Sequence, residues 1–187
     1  MIDFNPKAKE IFEQNKAVGW WDDMNRCIYQ TLQLINTEIA EATEGARKNL
    51  MDDHLPHRKM EEVELADVLI RTLDLGGRMG LEYHGHNDTF RANFIAHTGA
   101  WSDGRKHLYL VNLVGMFSRV VNELAPYDVV DESLSAHYTN IINGVLDFSI
   151  AKSYNVISAM EEKLAYNRER QDHKRENRKG EAGQKAF

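Results

Sequence analysis

The chain is short of the residues that staple or interrupt a fold. It has one cysteine and three prolines in 187 residues, and no apolar run approaches the roughly 20 residues of a membrane span. A lone Cys27 excludes an internal disulfide. It fits a reducing compartment, with the expected role of a small buried hydrophobe. The first residues, Met1 to Pro6, carry neither the basic nor the apolar part of a secretory leader, so the expected location is the cytoplasm. Alternating β-branched runs are few. With 42% hydrophobic residues, that leaves an all-α chain, of a length that most simply forms one domain. No glutamate has a histidine three residues later, which counts against a di-iron carboxylate bundle.

What the chain does have is acid at helical spacing: Glu38-Ile-Ala-Glu41 and Glu64-Leu-Ala-Asp67. Residues at i and i+3 share a helix face, where like charges repel. Wound as a helix, Met60 to Met79 places Glu64, Asp67, Arg71, Asp74 and Arg78 in one stripe, and Val63, Leu65, Ala66, Leu69, Ile70 and Leu73 cover the rest. That is the pattern of a buried helix, so the acids face an interior. Buried carboxylates require counter-charge, either internal salt bridges or a cation site. Arg71 can reach Asp67 and Asp74 at four and three residues, but it cannot also neutralise Glu64, Glu38 and Glu41. In the helix before, Ile28, Leu32, Ile35, Ile39, Ala42 and Ala46 form an apolar stripe with Glu38 and Glu41 on its shoulder. Antiparallel packing of the two helices then brings four carboxylates around one cavity.

These residues carry a resemblance. Glu38-x-x-Glu41 followed by Glu64-x-x-Asp67 resembles the metal-binding motif of the MazG-like all-α nucleoside triphosphate pyrophosphohydrolases, with Thr37 standing where many members have a further Glu. Gly19-Trp20-Trp21-Asp22-Asp23, the run from Glu64 to Leu75, and Lys163-x-x-Tyr166-Asn167-x-x-Arg170 look like pieces of the small MazG-like proteins found in phages. The resemblance implies a helical bundle of that type, an Mg²⁺ site (Mn²⁺ as substitute) on Glu38, Glu41, Glu64 and Asp67, and hydrolysis of nucleoside triphosphates, chiefly deoxynucleotides, to monophosphate and pyrophosphate. Hard carboxylate oxygens without Cys or His suit Mg²⁺ independently of the resemblance.

Lys163, Asn167 and Arg170 recur at four and three residues and so project from one helix face, offering an ammonium, an amide and a guanidinium to phosphate. The same spacing looks like the triphosphate-binding segment of the related dimeric dUTPases. Charge agrees: residues 163–187 carry eight Lys/Arg against four Asp/Glu, a surplus of +4, which leaves −10 for the rest of a chain at −6. A basic end beside acids loaded with metal complements a phosphate-rich ligand. Two other readings stand beside this one: a solvated basic helix end, and a non-catalytic helical interaction protein whose acidic seam is bridged to Arg71 and Arg78.

Along the rest of the chain, Pro6 to Asn15 reads as a short helix with Ala8, Ile11 and Phe12 inward, ended by Gly19. Asp22 or Asp23 is the expected cap of a helix from Asp22 to Asn49. Trp20 and Trp21 in the preceding turn serve as core or lid packing or, under the resemblance, Trp21 stacks on a nucleobase. His54 and His57, in the link from Leu50 to Arg58, are expected at the surface. Gly76-Gly77 soften the end of the second helix and Gly80 closes it. Residues 81 to 105 read as a loop with a helical turn between Ala92 and Ala100. Glu82, His84, His86 and Asp88 fall in it and can be drawn as an alternative metal site. Lys106 to Leu124 and Leu134 to Lys152 read as core-facing helices, the second capped by Asp131 or Ser133, and Asn155 caps a last helix to about Arg170.

The compact members join their motifs more briefly, so residues 81–152 are an insertion with room for one or two helices. It supplies a lid, a dimer surface, or helices another subunit would contribute. Residues 1–172 form one domain and 173–187 a flexible charged tail. The second helix needs neighbours on several sides and the small relatives pair their subunits, so a homodimer or homotetramer is expected, with no membrane or nucleic acid polymer as partner.

Overall fold

The computed structural model describes residues 3–22, 27–86, 88–124 and 132–170. Among them the chain is all-α, with seven helices and no strand: α1 (Asn5–Ala17), α2 (Ile28–Lys48), α3 (Met60–Met79), α4 (Asp88–Thr98), α5 (Asp103–Leu124), α6 (Glu132–Ala151) and α7 (Val156–Glu169). No described helix is long and apolar enough to cross a membrane.

The central element is α3, which packs on α1, α2, α6 and α7. Its apolar residues are buried around most of the circumference, from Val63 through Leu75, as a helix whose one polar stripe faces an internal cavity must be. α2 lies beside it as the other arm of a hairpin. Asn49 ends α2 in the left-handed conformation at φ 54°, and the Asp52 carboxylate accepts from the backbone N–H groups of His54 and Leu55 at 2.9 and 2.7 Å. Arg58 then ties the start of α3 to α7, donating to Glu62 at 2.9 Å, Ser158 at 2.8 Å and Glu162 at 2.6 Å.

Several expectations hold locally. Ala8, Ile11 and Phe12 are buried in α1, Gly80 caps α3 at φ +66°, and Asn155 caps α7 by accepting from the Ser158 N–H at 3.1 Å. Others are corrected. α2 begins at Ile28, not Asp22, and its N-cap position is held by Cys27, which is exposed rather than buried. Asp22 sits instead in a turn closed on Gly19, and Asp23 lies outside the described residues. Gly76 and Gly77 lie within a continuous α3. They sit where neighbours come too close for a side chain: a Cβ at Gly76 would lie 2.5 Å from the Tyr138 ring, and one at Gly77 2.5 Å from the Ala8 carbonyl oxygen. The supposed loop contains α4, and Ser133 lies inside α6 rather than capping it. Asp131 and the tail from 173 onward lie outside the described residues.

The segment 81–152 therefore contributes three helices rather than one or two. α5 packs on α2, α6 on α3 and α5, and α4 on α6. Their buried residues, including Leu110, Phe117, Tyr138 and Phe148, join the same core as α1, α2, α3 and α7.

Candidate functional site

Between α2, α3 and α7 lies a cavity of about 280 Å³, and every residue that the resemblance assigns to the site lines it: Trp21, Glu38, Glu41, Glu64, Asp67, Lys163, Asn167 and Arg170. The hairpin explains the convergence. α2 and α3 run antiparallel, so Glu41 comes level with Glu64 and Glu38 with Asp67 and Arg71, while α7 lays Lys163 across the acids. The volume is near the lower end of small-molecule sites, about 300–1,000 Å³.

The carboxylate oxygens of Glu38, Glu41 and Glu64 lie within 4.8 Å of one another. Glu41 is exposed, whereas Glu64 is 6% exposed. Neither has an ion-pair partner among the described residues. Burial, and after it the charges of Asp67, Glu38 and Glu41, push Glu64 up to about 9, with Lys163 opposing. The residue is thus a neutral acid at pH 7 when nothing replaces its proton.

Asp67 does not join this triad. Its Oδ2 accepts from Lys163 Nζ at 2.8 Å, and burial, opposed by Lys163 and reinforced by Glu38, moves it up to about 6. Burial works against the Lys163 ammonium too, yet Asp67, Glu64 and Asp52 outweigh it and hold its pKa above the ordinary lysine value. Arg71 pairs through Nε with Glu38 across the hairpin, not with Asp67 or Asp74 on its own helix. Asp74 is taken instead by the Trp21 indole N–H at 2.9 Å.

That contact belongs to the packing reading of Trp21. It is 2% exposed, with the Arg78 guanidinium 4.8 Å over its ring and Phe12 6.1 Å from it. It forms a wall of the cavity. The less buried Trp20 lines the same cavity.

Sequence reasoning passed over two groups here, His54 and Thr31. His54 is exposed as expected but lines the cavity, its ring 4.8 Å from that of Tyr166. The Asp52 two residues before it, an Asx turn that fixes the loop, was the available signal. Thr31 Oγ1 and Asn167 Oδ1, both on cavity-lining residues, are buried without a hydrogen-bond partner, a state that buried polar atoms rarely keep. Among the described residues the alternative cluster does not assemble, and the Asp88 side chain lies outside them. Glu82 and His84 are exposed, and His86 turns to Asp147 of α6 at 3.0 Å.

The triad suits a hard divalent cation. Its donors are all carboxylate oxygens, and a buried acid without counter-charge is what such an ion relieves. No family model, curated protein or solved structure matches this chain, so the family resemblance rests on the residues quoted for it.

Proposed function

We propose that the cavity binds Mg²⁺ with a nucleoside triphosphate, deoxynucleotides being the favoured class, and hydrolyses it to monophosphate and pyrophosphate. The observation that carries this reading is the meeting of the Glu38, Glu41 and Glu64 oxygens, within 4.8 Å of one another, with Lys163, Asn167 and Arg170 in one cavity. Mg²⁺, or Mn²⁺ in its place, when held by the triad neutralises phosphate charge and polarises a water.

The chain's own part is to position phosphate and to take a proton. Lys163, Asn167 and Arg170 supply the donors for phosphate oxygens. We assign the proton to Glu41, which is exposed and carries no cation, whereas Glu38 holds Arg71 and Asp67 holds Lys163. Water oxygen bonds to the α-phosphorus, the bridging oxygen departs with pyrophosphate, and the proton passes to Glu41. Incubation with a panel of ribo- and deoxynucleotides and Mg²⁺ tests this; a diphosphate and orthophosphate as products would place the cleavage at the wrong phosphorus.

The second reading is a non-catalytic interaction protein with a salt-bridged acidic seam, favoured by the two ion pairs just named. Heat stabilisation by Mg²⁺ together with a nonhydrolysable triphosphate belongs to the enzyme alone. We place the activity in the cytoplasm, that of the host if the chain is phage-encoded. The assembly we propose is a homodimer or homotetramer. Its surface is the outer face of α5, where Leu108 is 60% and Met116 41% exposed.

A further inference from the structure

The site contains two cations of its own, and they differ in what it takes to move them. Lys163 is 6% exposed along its side chain and holds Asp67, so its departure leaves a nearly buried carboxylate with no counter-charge. Arg71 is 36% exposed along its side chain and reaches in from the open side of the cavity. Only its Nε is engaged, on Glu38 Oε1, and its two terminal nitrogens have no hydrogen-bond partner among the described residues. Glu38 is also one of the three acids whose oxygens converge.

A guanidinium and a divalent cation on one carboxylate repel each other at short range in a poorly solvated place. We propose that Arg71 is a further substrate-binding residue, kept on Glu38 in the metal-free protein as a placeholder cation. Metal binding expels it, and the freed fork then takes a phosphate oxygen of the polyphosphate chain. Lys163 stays with Asp67 throughout. Metal and nucleotide therefore bind cooperatively, because each removes the obstacle to the other. This rests on the metal-dependent reading above and adds to it a named residue and a direction of coupling.

The sign of one measurement separates a placeholder from a structural salt bridge. Mn²⁺ affinity is read from the free-ion electron paramagnetic resonance signal of the full chain without nucleotide. Arg71→Gln is expected to bind Mn²⁺ about tenfold more tightly than wild type, and Arg71→Lys, which keeps a competing charge, about as wild type. For the Mg²⁺ complex of an α,β-methylene deoxynucleoside triphosphate, followed by equilibrium dialysis, the order reverses and Arg71→Gln binds about tenfold more weakly. Should Arg71→Gln not fold, the Arg71 Nε–H signal of wild type in a nitrogen-15 spectrum is followed through an Mg²⁺ titration, and its hydrogen-bonded shift is expected to be lost. Unchanged or weaker Mn²⁺ binding by a folded Arg71→Gln, or an Nε–H signal unmoved at saturation, overturns the placeholder role while leaving the metal site standing. Wild-type protein that binds no Mn²⁺ at all overturns both.

Discussion

Gly76 of α3 and Tyr138 of α6 approach so closely that a Cβ on the glycine would stand 2.5 Å from two ring carbons. Tyr138 is fully buried and its hydroxyl has no partner among the described residues. The ring has no room to retreat, because interiors are close-packed. Gly76→Ala is therefore expected to destabilise by about 1–3 kcal/mol, against the slight gain alanine brings to an ordinary helix interior. Urea unfolding checks the sign.

A second expectation concerns pH. Glu64 is raised from 4.5 to about 9, so the folded state holds a proton that the unfolded state gives up. Its contribution is present below pH 4.5 and is lost as pH rises through about 9, with a slope of at most about 1.4 kcal/mol per pH unit. Asp67, raised to about 6, acts in the same direction at lower pH. In the presence of a chelator the melting temperature should fall across this range. Glu64→Gln should flatten the curve and melt higher at its alkaline end; a variant curve as steep as the wild-type one sinks the argument.

Turnover follows from the proposed function. Glu38→Gln and Asp67→Asn should each lower kcat/KM at least about a hundredfold, judged against losses of about 10- to 100-fold for residues that only support metal ligands. The two should differ in binding. Glu38→Gln loosens metal, whereas Asp67→Asn leaves the converging triad intact and releases Lys163. Calorimetric Mg²⁺ titration of both variants checks the distinction, and circular dichroism checks that they remain folded.

Arg58 offers a test of how α7 is held. Its side chain is 13% exposed, as is fitting for a group that joins Glu62 of α3 to Glu162 of α7. Arg58→Ala leaves the more buried Glu62 carboxylate without its cation and should cost about 2–3 kcal/mol. Lysine should recover little, since one ammonium cannot reproduce the fork that reaches Glu62, Ser158 and Glu162.

Light scattering tests the assembly. A multiple of the chain's 21.5 kDa is expected for wild type, and Leu108→Lys on the exposed face of α5 should lower it. A wild-type mass near the single chain would mean that the insertion has made the bundle self-sufficient.

The acids were legible because helical spacing and the apolar surroundings of α3 agree on where they point: Glu64 and Asp67 could not face outward without exposing Val63, Val68 and Ile70, which flank them on the helix. The hairpin pairing of Glu38 with Arg71 was not legible, since an i,i+4 partner on the same helix is visible in a sequence and a partner across a hairpin is not. α4 was read as no more than a helical turn between Ala92 and Ala100, because the polar residues of DTFRANFIAHT leave too few apolar positions for a helix of 11 residues to display its period. The spacer role of Gly76-Gly77 was hidden for a related reason. Paired glycines signal a weak helix, and only the positions of Tyr138 and Ala8 reveal that they are spacers. The expected dimer drew on the need of α3 for neighbours, which α1, α2, α6 and α7 supply within the chain; the proposal now rests on Leu108 and Met116.

With partners along most of its circumference, α3 is the element whose amide hydrogens should exchange with solvent only when the whole protein opens. Glu64 and Asp67 are thus fixed to the slowest-moving part of the molecule. Motions that admit a nucleotide or release pyrophosphate belong to the opposite wall, where Trp20, the loop bearing His54 and the end of α7 at Arg170 border the cavity. Turnover would then be timed by that wall, and substitutions there should alter the rate of product departure without altering the affinity for metal.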